Sequence, residues 1–217
     1  MAIRMSEKER ISIISAILEV MSTKSYSPSP HAFKKAMPYS YHGEDGATKY
    51  CLVFKHLNFV IKYGSSYSNS KDTLKEVEIY QNAIQRGIEH LFPQTELLVE
   101  VDGIAFVIQE KVQFSVGNIP YYRQMKNRKT VQKTVSDNIV EIFAEGMAIK
   151  NLPCNRYIDR DWLAMCISLY GKRVCKELCR FVQEHKINDL HGSNIGYLNN
   201  KPVILDFCGF DNNNYYS

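Results

Sequence analysis

Residues 187–210 read INDLHGSNIGYLNNKPVILDFCGF and combine two short apolar runs with aspartate, asparagine and histidine side chains. The runs IGYL and VILDF stand on either side of an Asn-Asn pair, which predicts two short strands joined by a turn. Asp189 precedes the first strand, Asp206 ends the second, and Asn194 begins the hairpin. We therefore expect the hairpin to bring these side chains to one edge of a cleft. Mg²⁺ prefers a few protein oxygens together with phosphate and water, and a nearby carboxylate can orient or deprotonate a hydroxyl group. The stretch therefore predicts a metal–phosphate site.

Length and composition restrict the class of protein. The 217 residues fit one domain or two small lobes that share a cleft. A net charge of +4 is mild: it favours an anionic ligand such as a nucleotide, whereas a nucleic-acid binder usually clusters its charge, so we expect no nucleic-acid partner. No apolar run reaches the roughly 18 residues of a membrane span, and charged residues precede the first apolar stretch, which argues against a signal peptide. We expect a cytoplasmic protein, in its own cell or in a host cell.

Two further patterns have an ordinary explanation and a functional one. Cys175 and Cys179 are four residues apart on a predicted helix, where buried apolar packing is a better explanation than metal binding. The basic stretch YYRQMKNRK at 121–129 fits a solvated loop, and its functional alternative is a contact with a partner or substrate.

The order of predicted elements divides the chain into two halves. An amphipathic helix begins with an N-cap at Ser6, which Glu9 can complete as a capping box, and continues to Val20. The pattern then predicts strands KYCLVF and LNFVIKY, a helix over 73–91, and a hairpin ELLVEVDGIAFVIQEKV that turns at an Asp-Gly pair. The second half predicts helices over 131–150 and 161–185, followed by the late hairpin.

The late polar stretch resembles a known pair of loops. NDLHGSN followed by ILDFCGF resembles the catalytic and metal-binding loops of the protein-kinase-like superfamily, which includes protein kinases and aminoglycoside phosphotransferases. The resemblance implies that Asp189 is the catalytic aspartate and that Asn194 and Asp206 bind the metal ion. His191 stands where protein kinases often have lysine, and the phosphotransferases and many atypical kinases have histidine there.

The resemblance extends upstream in the expected order. FVIKYG is similar to the strand that carries the nucleotide-binding lysine, which implies that Lys62 contacts the α- and β-phosphates. A glutamate of the next helix should pair with this lysine. Glu76 lies at the edge of the apolar stripe, whereas Glu78 shares a polar face, so we predict Glu76 as the partner.

The adenine and phosphate contacts are also implied by the resemblance. Gln109 in FVIQEKV corresponds to the position at the back of the adenine pocket, and the backbone from Glu110 to Val112 corresponds to the segment that binds the adenine edge. Gly43 and Gly46 lie just before the first strand of this region. They are three apart and do not form the usual GxGxxG, but glycine permits backbone amides to approach phosphates closely.

The sequence departs from the family in several places. Cys208 occupies the glycine position of the Asp-Phe-Gly loop, and Asn188 stands where protein kinases have arginine, which argues against control by a phosphorylated activation loop. Only DNNNYYS follows CGF. We therefore expect an α+β, bilobal protein-kinase-like fold with a β-rich N-lobe and a truncated helical C-lobe. The expected divisions are a helical extension over 1–39, the N-lobe over 40–112 and the C-lobe over 113–217.

The resemblance implies a minimal atypical kinase, similar to compact kinases among bacterial effectors and phage proteins. It would bind ATP with Mg²⁺ and transfer the γ-phosphoryl group to a hydroxyl acceptor. The favoured acceptor is the hydroxyl of a Ser or Thr side chain of a protein. The partner would be recruited by the N-terminal helix or the 121–129 stretch. The alternatives are a small-molecule phosphotransferase, a pseudokinase that uses the fold as a binding surface, and transfer of a nucleotidyl group.

Overall fold

The computed structural model describes the chain in seven segments: residues 3–23, 27–37, 40–42, 48–66, 68–113, 160–187 and 194–208. The predicted helix over 131–150 and the basic stretch over 121–129 lie outside them. The chain divides into two compact units. The first comprises Met1–Gln81 and Gln94–Lys111, and the second comprises Asn82–Pro93 and Val112–Ser217.

The first unit is built on an antiparallel sheet with helices. Its described elements are α1 (Glu7–Ser22), α2 (Pro30–Ala36), β1 (Ser40–His42), β2 (Lys49–Phe54), β3 (Phe59–Gly64), β4 (Thr95–Val101) and β5 (Ile104–Glu110). The strand order is β1-β2-β3-β5-β4. Helix α3 (Ser70–Arg86) follows β3 in the chain, and its last residues belong to the second unit. The predicted order of strand, strand, helix, strand, strand is confirmed from β2 to β5, whereas α2 and β1 were not predicted.

Local sequence signals account for several element ends. The predicted capping box is confirmed, since the Glu9 amide donates to Ser6 Oγ at 3.2 Å and the Ser6 amide donates to Glu9 Oε2 at 2.8 Å. The Asp102-Gly103 turn is also confirmed: both residues have positive φ, 51° and 76°, as a two-residue hairpin loop requires.

The helix predicted over 73–91 is wrong at both ends. Helix α3 begins at Ser70, and it ends at Arg86 because Gly87 adopts a left-handed φ of 69°. A short 3₁₀ turn, Glu89–Leu91, follows it. The apolar spacing beyond residue 86 therefore reflects burial of this turn and not a longer α-helix.

Strand alternation gives the sheet two different faces. On one face, Phe59, Ile61 and Tyr63 of β3 belong to an apolar core that also includes residues of α1 and α2. Phe33 of α2 lies 5.4 Å from the Tyr63 ring and 5.9 Å from the Phe106 ring, and the Tyr63 hydroxyl donates to the Pro28 carbonyl at 2.9 Å. Because successive strand residues point to opposite faces, Lys62 lies on the other face.

The second unit contains a long helix and the late hairpin. Helix α4 (Arg160–Glu184) matches the helix predicted over 161–185, but the prediction missed an interruption at Gly171, whose φ of 77° and ψ of 162° are not helical. Strands β6 (Ile195–Leu198) and β7 (Lys201–Ile204) pair antiparallel. The Asn-Asn turn between them is confirmed, with φ of 51° and 63°.

The second strand of this hairpin was predicted too late in the chain. VILDF would cover 203–207, whereas β7 begins at Lys201 and ends at Ile204. The two-residue turn sets this register, because Leu198 must pair with Lys201 directly after it. Asp206 therefore follows the strand and does not end it.

Packing within the second unit holds the hairpin in place. The Trp162 indole donates to the Gly196 carbonyl at 3.1 Å, and Gln113 and Tyr197 exchange two backbone hydrogen bonds of 2.9 Å. Phe92 packs on Phe207 at 5.1 Å between ring centroids. None of the described helices has the length and apolar character needed to cross a bilayer.

The described elements confirm the α+β class. The unit that holds the five-stranded sheet is rich in β-structure, and the described residues of the unit that holds α4 are mainly helical, with one hairpin. The predicted boundaries at residues 39 and 112 stay predictions.

Gly64→Ala should lower stability, because a Cβ there would lie 2.5 Å from the Ser70 amide nitrogen and 2.8 Å from the Ser66 carbonyl oxygen. Both contacts are with backbone, so the turn into α3 must shift. We expect a loss of about 1–3 kcal/mol in the free energy of unfolding, measured by urea denaturation. Gly87→Ala is the control, since its Cβ meets nothing within 4 Å and only its φ opposes the change. A larger loss at Gly87 would contradict the crowding at Gly64.

Candidate active site

A buried carboxylate on α3 forms the centre of the polar face of the first unit. Glu76 is 0% exposed, and its Oε1 accepts from Lys49 Nζ at 2.7 Å and from Lys62 Nζ at 3.0 Å. Its Oε2 accepts from Lys62 Nζ at 2.9 Å and from Gln109 Nε2 at 3.5 Å. The carboxylate thus joins three strands, β2, β3 and β5, to one helix.

The sequence places these groups by simple periodicity. The buried residues of α3 recur every three or four positions and include Ser70, Thr73, Glu76, Ile79 and Ala83. Glu76 therefore lies on the inward face of the helix, whereas Glu78 is exposed. On β3, Lys62 pairs with Cys51 of β2 and with Val107 of β5. The structure brings together Lys62 and Glu76, the residues that the sequence proposed as partners.

Burying these charges is costly unless each one is paired and hydrogen-bonded. The two ammonium groups and the carboxylate are almost fully buried, with 6%, 8% and 0% of the respective side chains of Lys49, Lys62 and Glu76 exposed. Charge-assisted hydrogen bonds offset the desolvation of such groups only when their geometry is good. The contacts of 2.7–3.0 Å satisfy that condition for the lysines.

Gln109 is held beside this cluster. Its Nε2 also donates to Thr95 Oγ1 at 3.0 Å, which orients the amide so that the nitrogen points towards Glu76. Its Oε1 is buried and has no hydrogen-bond partner among the described residues. This oxygen is thus enclosed by the protein, and the position of Gln109 at the back of an adenine pocket stays a prediction.

Part of the backbone predicted to bind the adenine edge already forms hydrogen bonds within the first unit. The amide of Glu110 donates to the Gln94 carbonyl at 3.0 Å, and the amide of Lys111 donates to the Asn58 carbonyl at 2.7 Å. The Glu110 carboxylate accepts from the Gln94 amide at 3.0 Å. The amides of Glu110 and Lys111 are therefore already used within the first unit, and the contact of the Glu110 to Val112 backbone with an adenine edge stays a prediction.

In the second unit, the hairpin places two of the predicted metal ligands at one end. The carbonyl of Asn194 accepts from the Leu205 amide at 2.9 Å, which extends the pairing of β6 and β7 by one residue. Asp206 follows directly and is half-buried, and the Cys208 thiol donates to its Oδ1 at 3.7 Å. Amide and carboxylate oxygens are suitable ligands for Mg²⁺, so Asn194 and Asp206 fit that ion.

Four residues from the sequence prediction lie outside the described residues. They are the catalytic candidate Asp189, its neighbour His191, and the two glycines of the expected phosphate loop, Gly43 and Gly46. Their roles stay predictions.

Sequence reasoning missed Lys49. A lysine that begins a strand is normally a solvated end residue, and this lysine falls outside every motif used above. The available signal was its spacing, because Lys49 is two residues before Cys51, which pairs with Lys62, and therefore shares the sheet face of Lys62.

The predicted burial of Cys175 and Cys179 on α4 is confirmed, and Cys166 of the same helix is buried too. Cys166, Cys175 and Cys179 are each 0% exposed. Burial raises the pKa of Cys175 to about 11 and that of Cys179 to about 12, and it raises the pKa of Cys166 well above its usual value. Among the described residues, none of these three thiols belongs to a group of His, Cys, Asp and Glu side chains that could hold a metal ion.

Comparisons with known proteins add little at the level of sequence. No protein-family model matches the chain, and no curated protein matches it. Among solved structures, the chain is similar to the GDP and kanamycin complex of APH(2")-IIia, with 14% identity and a TM-score of 0.41. The match covers 91% of this chain and 72% of that chain. At this similarity it assigns neither a family nor a substrate, so the chemistry of the site has to be inferred from its own residues.

Glu76→Gln should destabilise the protein strongly, because it removes the carboxylate that two buried ammonium groups share. We expect a loss of about 3–5 kcal/mol in the free energy of unfolding, measured by urea denaturation. The matched control is Glu78→Gln, an exposed position on the same helix, where a change within about 0.5 kcal/mol is expected. Equal effects at the two positions would show that the buried ion pairs contribute nothing to stability.

Thiol labelling should separate the buried cysteines from Cys51. At pH 8 the buried thiols of α4 stay protonated because their pKa values lie above that pH, so iodoacetamide should leave Cys175 and Cys179 unmodified in the folded protein. Cys51 is half-buried and should react first. Mass spectrometry of native and urea-unfolded samples checks this, and labelling of Cys175 as fast as Cys51 would contradict it.

Proposed function

We propose that this protein is a nucleotide-dependent phosphotransferase that binds ATP with Mg²⁺ and transfers the γ-phosphoryl group to a hydroxyl acceptor. The observation that carries the proposal is the buried ion pair between Lys62 of β3 and Glu76 of α3. Lysine is rarely buried, and Lys62 does not contribute to the apolar core of the first unit, which lies on the other face of the sheet. Its burial therefore points to a function. Binding of a phosphate group would explain a lysine in this position.

Lys62 is assigned to the α- and β-phosphates of the nucleotide. An ammonium group has three N–H donors, so one lysine can hold a carboxylate and a phosphate oxygen at the same time. Glu76 fixes the direction of the lysine side chain, which lowers the entropic cost of binding the phosphate. Gln109 is assigned to the back of the adenine pocket.

Residues of the second unit are assigned to the metal ion and to the general base. Asn194 and Asp206 would hold Mg²⁺, which when bound offsets the negative charge of the phosphates. Asp189 is proposed to accept the proton of the acceptor hydroxyl. The acceptor oxygen then forms a bond to the γ-phosphorus, the bond to the β–γ bridging oxygen breaks, and ADP leaves with that electron pair. Gly43 and Gly46 are proposed to place backbone amides against the phosphates.

A protein hydroxyl is the proposed acceptor, and α1 is one proposed contact for it. The inward stripe of α1, which includes Ile17 and Met21, is already buried in the apolar core. A partner would therefore use the outward side of the helix, where Ile11 is 57% and Leu18 is 47% exposed. The basic stretch 121–129 is the second proposed contact.

Asp206→Asn should abolish both metal-dependent nucleotide binding and transfer, whereas Asp189→Asn should keep binding and lose transfer by a factor of about 100 or more. The assay uses purified protein, Mg²⁺, a cell lysate as the source of acceptors, and ATP labelled at the γ- or the α-phosphate. Asp102→Asn is the matched control, because it removes an exposed charge and asparagine tolerates the left-handed φ of that turn.

The label identifies the reaction. Transfer of the γ-label alone supports a kinase, and the labelled species, protein or small molecule, gives the acceptor class. Transfer of the α-label would replace the proposal with nucleotidyl transfer. Binding of Mg-ATP without any transfer would favour the pseudokinase, and equal transfer by the wild type and Asp189→Asn would contradict the proposed base.

A further inference from the structure

The part of the chain that follows the break in α4 at Gly171 is rich in positive charge. Residues 172–186 contain five lysines and arginines and two glutamates, which gives a net charge of +3. The whole chain of 217 residues has a net charge of +4. This short segment of the second unit therefore holds an excess of positive charge nearly as large as that of the entire protein.

The two glutamates of this segment lie on the side of α4 that contacts the end of α3. Glu177 Oε1 accepts from Arg86 Nη1 at 2.7 Å, and Glu184 Oε2 accepts from Arg86 Nη2. Because residues seven apart are almost two full turns apart, the two carboxylates share one side of the helix. The negative charge of the segment is thus turned towards a cation of α3.

Three cations lie on an exposed side of the same helix. They are Lys172, Arg173 and Arg180, which we call the basic face of α4. At 3.6 residues per turn, these positions fall within an arc of about 100°, and the buried Leu178 lies on the opposite side. The Arg180 side chain stays 68% exposed, although its Nη1 also lies 3.5 Å from Glu177 Oε2. The basic face is therefore accessible to a partner.

Helix stability does not explain two of these cations. Gly171 has non-helical backbone angles, so Lys172 and Arg173 stand in the first turn of the helix that continues to Glu184. The positive end of the helix dipole lies at that turn, where each cation costs about 0.3–1 kcal/mol. Two cations in an unfavourable position point to a role in binding.

The start of the basic face lies beside the hairpin that carries the candidate metal ligands. The hydroxyl of Tyr170, just before the break, donates to the Pro202 carbonyl of β7 at 3.2 Å. Asp206 follows Pro202 by four residues, which span at most about 14 Å when fully extended. An extended peptide of about ten residues is therefore long enough to contact both the basic face and Asp206.

The composition of the exposed side favours an acidic polypeptide over nucleic acid or a membrane. Single-stranded nucleic acids stack on exposed aromatic rings, and helices that lie in a bilayer interface present large apolar side chains beside their cations. Phe181 is the only Phe, Tyr or Trp within residues 172–186, and both Phe181 and Leu178 are buried. Exposed cations without such side chains are complementary in charge to the carboxylates of Asp and Glu.

We propose that the basic face of α4 binds an acidic segment of the protein acceptor, close to the hydroxyl group that is phosphorylated. This role rests on the proposed function, because it gives the chemical class of the acceptor used by the same site. Lys172, Arg173 and Arg180 form ion pairs with Asp and Glu side chains of that segment. Acceptors with acidic residues around the Ser or Thr are therefore preferred over neutral ones.

Fluorescence anisotropy tests the binding with a short labelled peptide in which Glu residues flank one Ser, and with a matched peptide in which Gln replaces each Glu. At low ionic strength the full chain should bind the Glu peptide at least about 10-fold more tightly than the Gln peptide. The double variant Lys172→Gln/Arg173→Gln should bind the Glu peptide about 3- to 10-fold more weakly, as expected for two exposed ion pairs. Arg180→Gln should show a smaller loss.

The matched control is Lys34→Gln/Lys35→Gln, which removes two neighbouring exposed cations from α2. It changes the net charge equally and should bind the Glu peptide within about twofold of the wild type. Circular dichroism and the thermal midpoint check folding. Because the helix dipole disfavours Lys172 and Arg173, the midpoint of Lys172→Gln/Arg173→Gln should equal or exceed that of the wild type.

Nucleotide binding and transfer separate this role from the proposed function. Calorimetry should give the same Mg-ATP affinity for the wild type and Lys172→Gln/Arg173→Gln. With the Glu peptide as acceptor, that variant should raise KM about 3- to 10-fold and leave kcat unchanged, because the basic face does not contact the reacting atoms. A wild type that does not bind Mg-ATP would refute the proposed function, and a peptide bound in that case would be a partner and not an acceptor.

Two results would overturn the acidic acceptor while the proposed function stands: no binding of the Glu peptide by the wild type, or an equal loss in both double variants. A third would replace the polypeptide with another partner. It is tighter binding of an oligonucleotide, single-stranded or duplex, or of vesicles that contain phosphatidylserine, with affinity lost in Lys172→Gln/Arg173→Gln.

Discussion

The buried carboxylate of Glu76 is the constraint on which the candidate site depends. It accepts hydrogen bonds from Lys49, Lys62 and Gln109, which belong to three different strands, while Glu76 itself belongs to α3. A charge without exposure to water is tolerated only when donors surround it. The helix and the strands must therefore meet in one arrangement, and that arrangement also orients the two ammonium groups.

Apolar packing on the opposite face of the sheet offsets the energetic cost of burying these charges. There, aromatic rings from β3, β5 and α2 pack within 4.9–5.9 Å of one another, and the inward stripe of α1 completes an apolar core. Burial of apolar surface is the main favourable term in folding. Because one face supplies this stabilisation, the other face can hold charged groups that a purely structural sheet would avoid.

Features that depend on neighbouring residues were predictable. The capping box at Ser6, the turn at Asp102-Gly103 and the Asn-Asn turn each follow from side-chain or backbone preferences within four residues. The choice of Glu76 over Glu78 as the partner of Lys62 followed from helical periodicity. In contrast, neither the break at Gly171 nor the second lysine at Lys49 was predicted. The contact of Lys49 with Glu76 depends on how a strand and a helix that are far apart in the chain pack together.

The sequence by itself determined the order of the elements, their turns and the identity of one ion pair, because periodicity and turn chemistry are local properties of the chain. Only the tertiary structure decided that Lys49 shares the carboxylate of Glu76 and that Glu110 and Lys111 use their amides within the first unit. Strand pairing sets these contacts between residues that are as far as 53 positions apart in the chain (Asn58 and Lys111). No local pattern encodes such a pairing, since it depends on register and on which face of the sheet is buried.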